Sequence, residues 1–217
     1  MFLNKNFDKN TKINLPFRSK QMLNKEFIQT VIDKSKKYEK LDKNLNEKIC
    51  SCLEIIKGSI DKLWEGLKSI PKDDEFYTIV HNDINHTNVL VDEKNKVYII
   101  DYDMISKGFF FYDLAIITFS LEIKSDLKNM QFNFENDITD FFDKIADAYL
   151  KERPIKMSKE KLIKMIKYHE LFFLVIFSLM SHMLSMNQDK NPLSKISLLL
   201  MVRYLEKIKQ LDKYQIN

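Results

Sequence analysis

Glycine is nearly missing from this chain of 217 residues: Gly58, Gly66 and Gly108 are all it has. A glycine-rich phosphate cradle needs several glycines in fixed register. Neither G-x-x-x-x-G-K-[ST] nor G-x-G-x-x-G can be spelled with these three. Cysteine is equally scarce. Cys50 and Cys52 stand two apart in a helical pattern, where their side chains diverge, so no bridge between them is expected. Without a disulfide framework the chain fits a reducing, cytoplasmic compartment. No signal peptide is legible in the polar, Asn/Lys-rich start after Met1. A long hydrophobic run is also lacking. The longest, Leu171–Met180, is shorter than the ~20 residues a membrane crossing needs and reads as a core helix. Charge of one sign is not in large excess either: 35 Lys and Arg face 31 Asp and Glu, a net +4. The lysines are scattered along helical faces, so nucleic-acid binding is not expected.

What is present is a globular composition, 45% hydrophobic and 30% charged, in a length that suits one domain or one and a half. Residues 1–18 read as an irregular lead-in and 19–217 as one largely helical lobe. A helix is predicted from an N-cap at Ser19 to Tyr38, with Leu23, Phe27 and Val31 on one face. A second, from Asp42 to Ile70, carries the strongest period in the chain: Leu45, Ile49, Leu53, Ile56, Ile60, Leu63 and Leu67. Its Gly58 and Gly66 suggest close packing against a neighbour. Further helices are predicted over 112–123, 134–151, from Ser158 to Met186, and from Pro192 to Leu211. In the 134–151 segment Asp140, Asp143 and Asp147 form an acidic row, read as a solvated face in preference to a cation-attracting one.

Between these helices lies V-H-N-D-I-N-H-T-N-V-L-V-D-E-K-N-K-V-Y-I-I-D-Y-D, then M-I-S-K-G-F-F-F-Y-D-L-A, from Val80 to Ala115. Phe76–His81 reads as a short extended run. Asn88–Val91 and Lys96–Ile100 read as a hairpin around the turn Asp92-Glu93-Lys94-Asn95. Phosphoryl transfer needs a carboxylate to take the nucleophile's proton and oxygen ligands to hold Mg²⁺ on the phosphates. Asp83 and Asn88 are five residues apart, and a hairpin returns the chain so that Asp101 arrives beside them. Asp83 is therefore the candidate base, and Asn88 and Asp101 the candidate metal ligands. His81 is a candidate brace for the loop. Asp103, two along from Asp101, points the same way by strand alternation and is a candidate support of the site, helping with the metal or hydrogen-bonding the loop. Asp113 reads either as a support of the loop or as a plain helix cap. A hydrolytic metal centre of His81, Asp83, His86 and Asp101 is the competing constellation, but no further histidines complete it.

H-N-D-I-N-H-T-N-V-L-V-D, V-Y-I-I-D-Y-D and F-Y-D-L-A together resemble the aminoglycoside phosphotransferase and choline kinase-like (protein kinase-like) superfamily, with its H-x-D-x-x-x-x-N, I-D-x-D and D-L-A. The wording I-I-D-Y-D…Y-D-L-A is most similar to the bacterial spore-coat CotS-type kinase-like proteins. The resemblance implies a mainly α (α+β) fold: a kinase-like C-terminal lobe, helical, with a small hairpin carrying the catalytic loop. It implies Asp83 as base, Asn88 and Asp101 as Mg²⁺ ligands that also bind ATP, and Asp113 as buried support of the loop. The N-terminal β lobe of such kinases, with its phosphate-covering loop and lysine, has no counterpart before Phe76. Two functions follow. One is Mg²⁺/ATP-dependent phosphoryl transfer to a small hydroxylated molecule, incomplete without an N-terminal lobe, which would reside on a partner chain or be missing because the chain is a truncated gene product. The other is a non-catalytic interaction protein, a pseudokinase or spore-coat component that self-associates or binds coat proteins.

Overall fold

A computed structural model describes residues 24–68, 76–129, 139–188 and 191–210. Among them are six helices and four short strands. The chain divides into two compact units, Met1–Pro16 with Ile70–Glu170 and Phe17–Ser69 with Leu171–Asn217. The predicted lead-in, the Ser19 cap and residues 130–138 lie outside the described residues.

The unit made of Phe17–Ser69 and Leu171–Asn217 is helical. Helix α1, Lys25–Lys36, starts at Asn24, whose side chain accepts the Phe27 amide at 2.7 Å. An asparagine oxygen there satisfies a donor that the helix start leaves open. The buried face is Ile28, Val31, Ile32 and Ser35, so Phe27 sits at its edge, half-buried. Helix α2, Lys43–Lys68, is capped by Asp42, which accepts the Leu45 amide at 2.8 Å. Its four-and-three stepping is realised in Ile49, Leu53, Ile56, Ile60 and Leu63, all at most 1% exposed. Each such side chain contributes about 1.5–3 kcal/mol on leaving water. Gly58 departs from expectation: among the described residues a methyl group there would meet nothing within 4 Å, so this glycine lies on an open face and mediates no close packing with them. Helix α2 packs against α1 and against the last described helix. Trp64 meets Phe172 edge to face at 5.6 Å, and the Ser59 hydroxyl meets the Tyr204 hydroxyl at 3.1 Å.

The other unit holds all the described strands. β1, Tyr77–Val80, pairs antiparallel with β4, Ser106–Phe109, in the register Tyr77↔Phe109 to Val80↔Ser106. β2, Val89–Val91, pairs antiparallel with β3, Val97–Ile99, forming the expected hairpin. Its turn is tied by Asp92, whose Oδ1 accepts the Lys94 and Lys96 amides at 2.9 and 2.8 Å. β4 has no counterpart among the expected elements. Ser, Lys and Gly open it, and its strand character comes from pairing with β1 more than from its own side chains. Helix α3, Phe111–Asn129, buries Phe111, Ala115, Ile116 and Phe119. In helix α4, Thr139–Glu152, Phe142 and Ala146 are buried and Tyr149 stacks on Phe110 at 4.5 Å. Two members of the acidic row share a partner while staying exposed: Lys159 Nζ reaches Asp143 at 2.9 Å and Asp147 at 2.7 Å.

Helix α5, Lys159–Gln188, runs through both units, and α6, Asn191–Ile208, ends the described helices. Ser158 caps α5 by accepting the Lys161 amide at 3.2 Å, so its lone signal is sufficient without a glutamate partner. Most of the apolar run after Glu170 is core: Leu171, Phe172, Leu174, Val175 and Leu179 are buried, while Phe177 and Met180 are exposed. Among the described residues no helix is long and apolar enough to cross a membrane.

Candidate active site

Loop 81–88 is held by its own side chains. His81 is 6% exposed. Its Nδ1 accepts the Asp83 amide at 3.3 Å, which leaves the proton on Nε2, and that nitrogen donates to the Ile100 carbonyl at 3.0 Å. One buried ring thus ties the start of the loop to the residue preceding Asp101. Its ring centre lies 5.1 Å from that of Tyr102.

The Asp83 carboxylate sits between two amides. Asn85 Nδ2 donates to Oδ1 at 2.9 Å and Asn88 Nδ2 donates to Oδ2 at 2.8 Å. Asn88 Nδ2 also donates to the Asp83 carbonyl at 2.8 Å. These bonds orient the carboxylate and leave further lone pairs for an incoming hydroxyl. Asn88 is 8% exposed, and its carbonyl accepts the Ile100 amide at 3.0 Å. The five-residue spacing therefore brings Asp83 and Asn88 into direct contact, and the hairpin lays Ile100, the neighbour of Asp101, against Asn88.

Asp101 follows immediately with φ 63°. It is exposed and accepts no hydrogen bond from the described residues. Strand β3 has already ended at Ile99, so the alternation argument for Asp103 fails. Residues 102–105 form a turn, closed by the Ile105 amide donating to the Tyr102 carbonyl at 3.1 Å. Asp103 stands in that turn, exposed, and is not on a strand.

Asp113 lies in the first turn of α3 but does not cap it. Its Oδ2 accepts the His81 amide and its Oδ1 the Asn82 amide, each at 2.8 Å. The carboxylate thus grips two successive amides of the loop. Burial pushes its carboxyl up from the ordinary range, against the lowering effect of those two amides.

His86 points elsewhere: its Nδ1 lies 2.7 Å from Ser120 Oγ, which also accepts its amide at 3.2 Å. The competing four-residue metal centre is not assembled, and among the described residues no group of three or more His, Cys, Asp or Glu could hold a metal ion. Mg²⁺ is compatible with a smaller set, one or two protein oxygens with the remainder from phosphates and water. Asn88 Oδ1 and the Asp101 carboxylate are hard oxygen donors of that kind. Asn88 has its amide nitrogen committed to Asp83, which fixes the side chain, and its Oδ1 meets the Thr87 hydroxyl at a long 3.4 Å, with lone-pair capacity left for a cation. The donor set therefore fits the ion.

Asn82, Asn85 and Ser106 also shape this region, and sequence reasoning does not single them out. The only signal is the run of asparagines in H-N-D-I-N-H-T-N, a residue type that tolerates left-handed backbone and bonds locally. A cavity of about 390 Å³ adjoins the loop, lined by Ile84, Asn85, His86, Val89 and other apolar residues of the hairpin and α3.

Set against known proteins, residues 30–151 match a family model described as "Phosphotransferase enzyme family". None of the curated proteins matches the chain.

Proposed function

Because the chain belongs to the phosphotransferase enzyme family, we propose that it uses the Asp83–Asn88–Asp101 constellation to transfer a phosphoryl group from ATP to a hydroxyl of a small molecule. The observation that carries this reading is the direct bond from Asn88 Nδ2 to Asp83 Oδ2, 2.8 Å, with Ile100 hydrogen-bonded to the same asparagine. A proton acceptor and two oxygen ligands for a cation then belong to one loop and one hairpin. Asp83 takes the proton of the acceptor hydroxyl as its oxygen forms a bond to the terminal phosphorus and the bridging oxygen leaves with ADP. The amides of Asn85 and Asn88 keep Asp83 aimed during that transfer. Asp113 and His81 hold the loop that bears it. Mg²⁺, held by Asn88 and Asp101, would neutralise charge developing on the phosphates. The likeness of I-I-D-Y-D…Y-D-L-A to the CotS-type kinase-like proteins is what supports a spore-coat setting.

Titration calorimetry with ATP tests this reading. The chain, alone or with a candidate partner lobe, should bind ATP only when Mg²⁺ is present, and Asp101→Ala should abolish the signal. Binding that is indifferent to Mg²⁺, or unchanged in the variant, refutes it.

A second reading, a non-catalytic interaction protein, has its own observation. The hairpin leaves Leu90, Val91, Val97 and Tyr98 between 42% and 60% exposed, an apolar surface of the sort that partners cover. It predicts self-association in sedimentation equilibrium that Val91→Lys weakens. A monomer across the concentration range contradicts it.

A further inference from the structure

Asn82 is held in the left-handed region, φ 64°, and its own amide is one of the two that Asp113 grips. Asparagine is one of the few side chains that accept this conformation at modest cost. Glycine accepts it more readily, so conformational tolerance alone does not explain an asparagine here. The side chain gives the rest of the explanation. Its Nδ2 donates twice, to the Met104 carbonyl at 2.8 Å and to Ser106 Oγ at 2.6 Å. An amide has two N–H groups and both are used.

Those two acceptors sit at the far end of the segment that begins with Asp101. At its near end, Ile100 is fixed by His81 and Asn88. At its far end Ser106 is 3% exposed and enters β4 opposite Val80, the residue that precedes His81. Between these anchors, Asp101 has φ 63° and residues 102–105 close on themselves. The exposed stretch 101–104 is therefore short, turned back, and latched from the base-bearing loop by one side chain.

We propose that Asn82 is a positioning residue that couples the two loops, holding segment 101–105 so that the Asp101 carboxylate is presented to a cation shared with Asn88. The cation half of this proposal rests on the phosphotransferase reading above; the latch itself does not. Neither aspartate nor glycine can replace it. Both tolerate the left-handed backbone, but aspartate supplies no donor and glycine no side chain.

Two measurements on the full chain test it. In the metal-free protein, amide hydrogen exchange across residues 102–106 should accelerate in Asn82→Gly and Asn82→Asp, by about tenfold for two lost neutral hydrogen bonds. Exchange in the β2–β3 hairpin should not change. Ser106→Ala, which keeps the backbone of residue 82 and one arm of the latch, should give a smaller acceleration, about threefold or more. It also serves if the Asn82 variants fold poorly. In a Mn²⁺ titration at fixed ATP, the half-saturating Mn²⁺ concentration should rise about tenfold in Asn82→Gly, an effect that general loosening far from Asp101 would not produce. Parent-like exchange over 102–106 in Asn82→Gly and in Ser106→Ala overturns the latch. Faster exchange with unchanged Mn²⁺ half-saturation overturns the coupling to the cation. A parent chain that takes up no Mn²⁺ with ATP refutes the phosphotransferase reading and with it the cation half, and the exchange result still decides whether the latch exists.

Discussion

Replacing Asp113 by asparagine is the most informative single perturbation of the loop. The carboxylate accepts two backbone amides, from His81 and Asn82, each at 2.8 Å. Hydrogen bonds to a charged acceptor contribute about 1.5–3 kcal/mol each. The side chain introduced by Asp113→Asn would keep one oxygen for one of these amides and turn its own N–H₂ toward the other, leaving a part-buried donor without an acceptor. That loss costs about 2–3 kcal/mol. It is offset in part, because burial already disfavours the charged form of Asp113, as its raised pKa indicates, and a neutral amide escapes that penalty. The expected net cost is about 2 kcal/mol, concentrated at residues 81 and 82. Urea denaturation should show a lower midpoint at unchanged slope. Exchange of the His81 and Asn82 amides should accelerate by about thirtyfold relative to the rest of the unit, the factor that corresponds to about 2 kcal/mol. A variant with the parent's midpoint and the parent's protection at these two amides would show that the grip contributes nothing, and the assignment of Asp113 as the loop's support would be wrong.

Other outcomes follow from features away from the loop. Gly58→Ala should stabilise the chain by about 0.5–1 kcal/mol in thermal or urea denaturation, since helix α2 gains propensity and the added methyl meets open space; a destabilised variant would mean that a neighbour does occupy that face. Acid should destabilise both units. His169 and His182 are buried, which lowers each from 6.5 to about 4. Because the folded value lies below the unfolded one, the stability is intact above about pH 6.5 and is lost as pH falls toward 4, by about 2 kcal/mol per histidine at pH 5. Urea midpoints at pH 7 and pH 5 measure this, and equal midpoints would contradict it.

Long helices are legible from the sequence because their cores repeat. The Ile49–Leu63 stripe in α2 buries the side chains that its spacing singles out, and the continuous apolar run after Glu170 in α5 is largely buried, with Phe177 and Met180 left exposed. The contact between Asp83 and Asn88 is legible for a similar reason: a fixed interval on one loop followed by a hairpin leaves few other geometries. What escapes depends on partners distant in sequence. β4 exists through its ladder with β1, and its residues of mixed character show no period. The first described helix starts after Asn24, whose side chain caps it, and sequence reasoning does not single out that asparagine. Alternation misplaces Asp103 because it runs past the end of β3 into a turn that a left-handed Asp101 initiates. Gly58 suggests a packing contact by its place in a periodic helix, but a scarce glycine need not be a buried one. Asn82 carries the subtlest signal, a left-handed-tolerant residue wedged between His81 and Asp83, and its two acceptors lie more than twenty residues away.

In the function we propose, Asn88 and Asp101 hold one divalent ion, carrying a nucleotide's phosphates, beside the Asp83 carboxylate. Paramagnetic broadening by Mn²⁺ in the presence of ATP tests it most directly. The side-chain amide of Asn88 and the backbone amides of Asp83 and Asp101 should lose their NMR signals first, at substoichiometric Mn²⁺, while those of Asp143 and Asp147 persist. Broadening that begins at Asp143 and Asp147, or that spreads evenly over exposed carboxylates and spares Asn88, would contradict a shared ion at this loop.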